Sequence, residues 1–276
     1  MYQVLDKDTI ISEILPYLPK AKRGFITKSN RAEIVNCILY KLKTGCQWHM
    51  LPVTSLFSKV VLSYKTVFGH FRQWCKCGIW QQIWTHLLEK YKSFLDMSSV
   101  ELDGSHTPAV RGGEEVAYQG RKKKKTTNAL FLTDKQGIPL AISEPIAGNH
   151  NDLHQIEKYF NQLLDTLIKA KIRIDGLFMN ADAGFDSIEL RDLCNKAEII
   201  PNIAINQRNG AADENIFVDD LLYKERYCIE RTNAWIDGFR TLLNRFDFTS
   251  SSWLNFNLIG FTTILLKKIN KNQKSR

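Results

Sequence analysis

The chain has 276 residues, 44% of them hydrophobic, and carries 38 Lys and Arg against 29 Asp and Glu, a formal net charge of +9. Such a length suits one large domain, or a main domain with a smaller one, and the apolar share is enough for a sizeable core. The composition excludes a disulfide scaffold and a helical membrane span. The six cysteines form no CxxC pair, and the longest apolar stretch, Trp253 to Leu266, is interrupted by Asn255 and Asn257, well short of the ~20 apolar residues a span needs. The positive excess favours a polyanionic partner through phosphate contacts and counterion release, with a merely basic surface as the alternative. No apolar leader opens the chain, and the cysteines read as reduced thiols of a cytoplasmic protein.

Residues 1–96 read as helical. Ile34, Ile38, Leu39 and Leu42, then Val67, Phe68, Phe71 and Trp74, recur at helical spacing, with Thr44-Gly45 as a helix stop and Leu51-Pro52 opening a connection. This predicts a small helical bundle, with room for a helix-turn-helix, whose Lys20, Lys22, Arg23, Lys28, Arg31, Lys41, Lys43, Lys59, Lys65 and Arg72 face nucleic acid or simply solvent. From about residue 99 strands begin: Val100–Ser105, then a hairpin of Ala129–Thr133 and Ile138–Ser143 around Asp134–Gly137. The basic run Arg121–Lys125 falls in the loop before that hairpin. A helix over 152–171, a strand over Ile174–Asn180, a short helix N-capped by Ser187, a strand over Glu198–Ile205 interrupted by Pro201, and a linker Asn206–Asp213 follow. A continuous helix then covers Tyr223–Thr232, a buried one Trp253–Leu266, and the basic tail Lys267–Arg276 frays. The order predicts an α/β fold, a mixed sheet flanked by helices, after an all-helical N-terminal part; the boundary falls between 1–96 and 97–276.

Three carboxylates stand out. Asp103 and Asp182 end apolar runs of strand type, and Glu230 lies on the late helix. Two acids at strand ends repel when brought together, and a divalent cation removes that cost. Hard cations want oxygen ligands, and a metal pair over a phosphodiester stabilises both the attacking and the leaving oxygen. The bland alternative is that Asp103-Gly104 and Asp182-x-Gly184 are turns. On an unbroken helix Tyr223, Arg226, Glu230 and Asp237 share one face, and Glu225 falls off it. A guanidinium suits phosphate and a tyrosine stacks on a base or donates to phosphate. Arg121, Lys122 and Lys123 can cradle DNA phosphates or form a solvated loop. His150 and His154 are spaced i, i+4, but a pair without a third ligand is weak grounds for a metal site.

Tyr223-x2-Arg226-x3-Glu230 resembles the start of the Y-x2-R-x3-E-x6-K signature of DDE transposases encoded by bacterial insertion sequences. Leu102-Asp103-Gly104-Ser105 and Asp182-Ala183-Gly184-Phe185-Asp186-Ser187 resemble that family's two aspartate motifs. The N-terminal blocks Thr44-Gly45-Cys46-Gln47-Trp48 and Phe71-Arg72-Gln73-Trp74 are similar as well. The resemblance implies a ribonuclease H-like catalytic domain that uses two Mg²⁺ or Mn²⁺ ions, held by Asp103, Asp182 and Glu230, to cut element ends and join them to target DNA. It implies Tyr223 and Arg226 as DNA contacts and a homodimer that pairs the ends, in a bacterial, nucleoid-associated protein. The signature lysine falls on Asp237, so its contact is either dispensable or supplied by Arg231, Arg240 or Arg245. The short interval from Asp182 to Glu230 leaves no room for a large inserted β-domain. The rivals are a non-catalytic DNA-binding protein and a structure-specific nuclease of the same fold.

Overall fold

The computed structural model describes residues 3–19, 29–209 and 218–274. Lys20, Lys22, Arg23 and Lys28, and the end of the expected linker, lie outside the described residues. In chain order the elements are α1 (Lys7–Thr9), α2 (Arg31–Thr44), α3 (Val53–Leu56), α4 (Tyr64–Lys76), α5 (Ile79–Lys90), β1 (Ser99–Pro108), β2 (Ala117–Gln119), β3 (Lys124–Asp134), β4 (Pro139–Ile142) and β5 (Ile146–Ala147). Then come α6 (Ile156–Lys169), β6 (Phe178–Ala181), α7 (Ile188–Lys196), β7 (Ile200–Ile203), α8 (Asp220–Lys224), α9 (Cys228–Asp237), α10 (Arg240–Leu243) and α11 (Ser250–Lys274). They form two compact units, one of Met1–Leu87 with Ile236–Arg276 and one of Leu88–Trp235.

In the first unit, α2 starts where the Asn30 side chain accepts from the Ala32 N–H and stops at Gly45, whose φ of 68° suits glycine. Its core is aromatic. Trp48 lies 5.0 Å from Phe68 and 5.3 Å from Phe71, and Phe71 stacks on Phe256 of α11 at 4.5 Å between ring centroids. Helix α11 is buried through Trp253, Phe256, Ile259, Phe261 and Leu265. Its buried polar side chains turn back on their own helix: the Asn257 amide donates to the Trp253 carbonyl at 3.0 Å and the Thr263 hydroxyl to the Ile259 carbonyl at 2.8 Å. Two expectations change here. The helix does not end in a frayed tail at 267 but runs through Lys274. And residues 236–276 pack with the N-terminal helices, so a cut at 96/97 does not separate the packing units. A helix this apolar needs the bundle's core to cover it.

The second unit is built on one mixed sheet of order β2-β3-β1-β6-β7, with β4 and β5 also paired to β3. β1 is antiparallel to β3 and parallel to β6, and β6 is parallel to β7. Pro201 is tolerated because β7 pairs with β6 alone on this path. The expected hairpin forms between β3 and β4. The Asp134 carboxylate closes its turn, accepting from the Gln136 N–H at 3.0 Å and the Ile138 N–H at 2.7 Å. Lys124 and Lys125 lie in β3 rather than in a loop, leaving Arg121–Lys123 to turn between β2 and β3. Ser187 caps α7 as expected, accepting from the Leu190 N–H.

The late helix is not continuous. α8 and α9 are separated by a 3₁₀ turn, Glu225–Tyr227, so Tyr223, Arg226, Glu230 and Asp237 do not share the single face of an unbroken helix. α9 sits on the β3–β4 turn: the Thr232 hydroxyl donates to the Gly137 carbonyl. Gly137 has φ +81°, and a Cβ there would lie 2.7 Å from the Cys228 carbonyl oxygen. Gly137→Ala is therefore expected to cost at least the ~1–2 kcal/mol of a left-handed non-glycine residue, with added strain as α9 is pushed away. Chemical denaturation reads this directly, and an unaltered midpoint would mean that α9 is not seated on the turn.

Candidate active site

Asp103 and Asp182 arrive together by register. Leu102 pairs with Ala181 across the parallel strands β1 and β6, so the next residue on each is an aspartate at one level of the sheet. Asp103 is largely buried, and its carboxyl is pushed up to about 6, by burial first and then by the Asp182 charge. Asp182 caps the short turn Ala183–Phe185, its Oδ1 accepting from the Gly184 N–H at 2.8 Å. Its Oδ2 has no protein donor among the described hydrogen bonds. The Asp182 turn is braced from behind: Arg191 holds the Asp186 carboxylate at 2.8 Å and donates to the Ile203 carbonyl at 3.0 Å.

Two residues earlier on each strand, and so on the same sheet face, lie Glu101 and Asn180. Glu101 is fully buried, and burial pushes its carboxyl up to about 7 against hydrogen bonds from Asn180 and Ser99. Arg226, whose guanidinium lies 5.5 Å from the Tyr223 ring centroid, pulls the pKa of both Asp103 and Glu101 downward. Tyr223 and Arg226 thus belong to the acidic end of this face. Glu230 lies in the first turn of α9 and is exposed. Glu225 pairs with Lys135 at 2.9 Å. Among the described residues no three or more His, Cys, Asp or Glu side chains form a ready-made metal cage.

Asp152 comes from the opposite face. Its Oδ1 accepts from Asn128 at 2.6 Å and lies 4.0 Å from His106 Nε2. A Cβ on Gly104 would overlap its carboxyl group, so the glycine of the Asp103-Gly104 pair lets this acid approach the back of β1. Asp152 adds to the forces raising Asp103. His150 and His154 stack on each other, with ring centroids 3.6 Å apart.

Of the basic residues expected at DNA, Arg121, Lys122 and Lys123 are exposed, as are Arg231 and Arg240. Lys122 reaches the His106 carbonyl at 3.3 Å. Arg245 is withdrawn from that role: only 1% exposed, it donates to the carbonyls of Asp247 and Phe248. Sequence reading passed over Glu101, Asn180 and Asn202. Their signal was there: Glu101 and Asn180 stand two positions before the acids inside otherwise apolar strands, and Asn202 is in register with Asn180.

The fold as a whole is similar to that of a known structure. The cryo-EM structure of the piggyBac transposase synaptic complex with hairpin DNA matches with a TM-score of 0.51 at 10% identity, over 100% of this chain and 77% of that one. A pre-cleavage Mos1 transpososome is more distant, with a TM-score of 0.30 at 11% identity over 90% of this chain and 82% of that one. No curated protein matches in sequence. The fold is thus that of the ribonuclease H-like transposases. Residues 89–263 match the family "Transposase DDE domain", and residues 8–84 match "Putative transposase of IS4/5 family". The chain belongs to the DDE transposases, DNA transposases that depend on divalent metal.

Proposed function

We propose that this transposase cleaves the terminal inverted repeats of its insertion sequence and transfers the freed 3′ ends into target DNA. Asp103, Asp182 and Glu230 are its metal-ligating acids. The carrying observation is the level pair Asp103 and Asp182 on adjacent parallel strands, where burial first and then the Asp182 charge push Asp103 up to about 6. A pair of carboxylates that repel, offering only oxygen donors, suits a hard cation, Mg²⁺ or Mn²⁺. Two such ions, when bound, supply the charge that stabilises the attacking and leaving oxygens of an in-line displacement.

The chain's own residues do the rest. Asp182 keeps Oδ2 for ligation because Oδ1 is committed to Gly184. Glu230, exposed on α9, closes on the pair when DNA and metal are present. Arg226, backed by Tyr223, receives a backbone phosphate beside Asp103, as a planar guanidinium suits. Arg121, Lys122, Lys123, Arg231 and Arg240 add exposed positive charge for DNA. The active complex is a homodimer holding two ends. No helix among the described residues is long and apolar enough to cross a membrane.

The test uses the purified full chain, Mg²⁺, a duplex carrying the inverted repeat that flanks its gene, and a plasmid target. Nicked ends joined to the plasmid are expected. Binding without any cutting would point to a DNA-binding protein alone, and cutting without joining to a nuclease.

A further inference from the structure

Directly beneath the acidic pair, a buried chain of side chains crosses three strands. Glu101, Asn180 and Asn202 are Cα partners in register, on β1, β6 and β7. Their relative exposures are 0%, 0% and 4%. The Asn180 amide donates to Glu101 Oε1 at 2.9 Å and to the Leu222 carbonyl at 3.3 Å, and its oxygen accepts from the Asn202 amide at 2.7 Å. Asn202 then pairs with the backbone of Asp219 in both directions: its amide donates to the Asp219 carbonyl at 3.1 Å, and its oxygen accepts from the Asp219 N–H at 2.8 Å. Every donor and acceptor of the two asparagine amides is used, and reversing either amide would set donor against donor. Asp219 in turn caps α8, its carboxylate accepting from the Leu221 and Leu222 N–H groups.

A buried network of hydrogen-bonded side chains fixes geometry more tightly than apolar contact. This one ties the sheet rung below Asp103 and Asp182 to the start of the segment that carries Tyr223, Arg226 and Glu230. We propose that Glu101, Asn180 and Asn202 are positioning residues for the transposition reaction, anchoring Asp219–Leu222 so that the 3₁₀ turn and α9 that follow present Arg226 and Glu230 to the acidic pair. Glu101 Oε2, by contrast with the asparagine amides, is buried without a hydrogen-bond partner. The proposal rests on the reading that the helix delivers Glu230 to the site.

Asn180→Asp is the decisive change, since it sets a carboxylate against Glu101 in place of a donor. Cleavage of an element-end duplex is expected to slow by about 10²-fold, the scale of a ~1 Å misplacement of catalytic groups, while the affinity for that duplex stays near the parent's and the unfolding midpoint falls, as a buried pair of like charges requires. Adding Glu101→Gln restores a donor to the pair and should recover most of the rate, which a general loss of packing would not allow. If Asn180→Asp alone does not fold, Asn202→Ala decides: it frees Asp219 but leaves the Glu101–Asn180 pair, and cleavage should slow with duplex affinity retained. Parental cleavage rates in a folded Asn180→Asp or in Asn202→Ala, or a folded Asn180→Asp defect that Glu101→Gln leaves untouched, would overturn the proposal. A Glu230→Gln protein that still cuts normally would instead strike the assignment of the third acid, so the two failures are distinguishable.

Discussion

Asp103→Asn is expected to abolish cleavage and, at the same time, to make the metal-free protein more stable at pH 7. The folded protein holds the Asp103 carboxyl at about 6, above the ~3.9 of an unfolded chain. A raised carboxyl means the folded state binds the proton more tightly. Asp103's contribution to stability is therefore fully present below pH ~4 and is lost as pH rises to about 6. At pH 7 the charge costs about 3 kcal/mol, from roughly two units at 1.36 kcal/mol each. The neutral amide removes the charge and its repulsion from Asp182, and a gain of about 5 °C in Tm follows for a protein of this size. Thermal unfolding in EDTA across pH 4–7 measures it: the parent's decline through that window should flatten in the variant. Mg²⁺ should raise the parent's Tm, because a ligand that binds only the folded state stabilises it, and should leave the variant's nearly unmoved. Cleavage should fall by about 10³-fold or more, on the scale of removing one essential charged group. A variant that melts below the parent at pH 7 without metal would contradict the strain assigned to this pair.

Glu230→Gln is expected to separate activity from stability altogether. Glu230 is exposed in the first turn of α9, where its charge gains no more than the modest benefit of a helix N-terminus, ~0.3–1 kcal/mol. Unfolding free energy should change by less than about 1 kcal/mol, as for most exposed sites, while cleavage falls by about 10³-fold. The comparison that gives the result its force is Glu225→Gln. Glu225 sits in the 3₁₀ turn, pairs with Lys135 at 2.9 Å and acts electrostatically on Glu101. It is the acid that could stand in if the break between α8 and α9 re-aimed the chain. Loss of cleavage in Glu230→Gln and its survival in Glu225→Gln fits the assignment; the reverse pattern transfers the third ligand to Glu225.

Much of this was legible in the amino-acid order. The β3–β4 hairpin followed from an Asp-x-x-Gly turn between apolar runs, α7 from Ser187, and the buried character of α11 from its long apolar stretch, because each is decided within a few residues of chain. The resemblance to DDE transposases rested on short motifs scattered from Thr44 to Glu230, and the family match covers the same region. The elements that went astray depended on distant partners. The helix through Tyr223 is interrupted by the 3₁₀ turn Glu225–Tyr227, and its start is held by Asn180 and Asn202 through the Leu222 and Asp219 carbonyls, which no local propensity encodes. Arg245 looked like any basic residue available to DNA until its guanidinium was enclosed by the carbonyls of Asp247 and Phe248.

Sequence alone determined which acids to suspect and which helices and strands carry them, because side-chain chemistry and apolar period are local properties. Only the tertiary structure decided that Asp103 and Asp182 stand level, that Asp152 reaches β1 from behind through the bare face of Gly104, and that a hydrogen-bonded Glu101–Asn180–Asn202 rung lies beneath them. Those facts depend on strand register, and register is chosen by the pairing of strands far apart in the chain, whose energy no single segment contains.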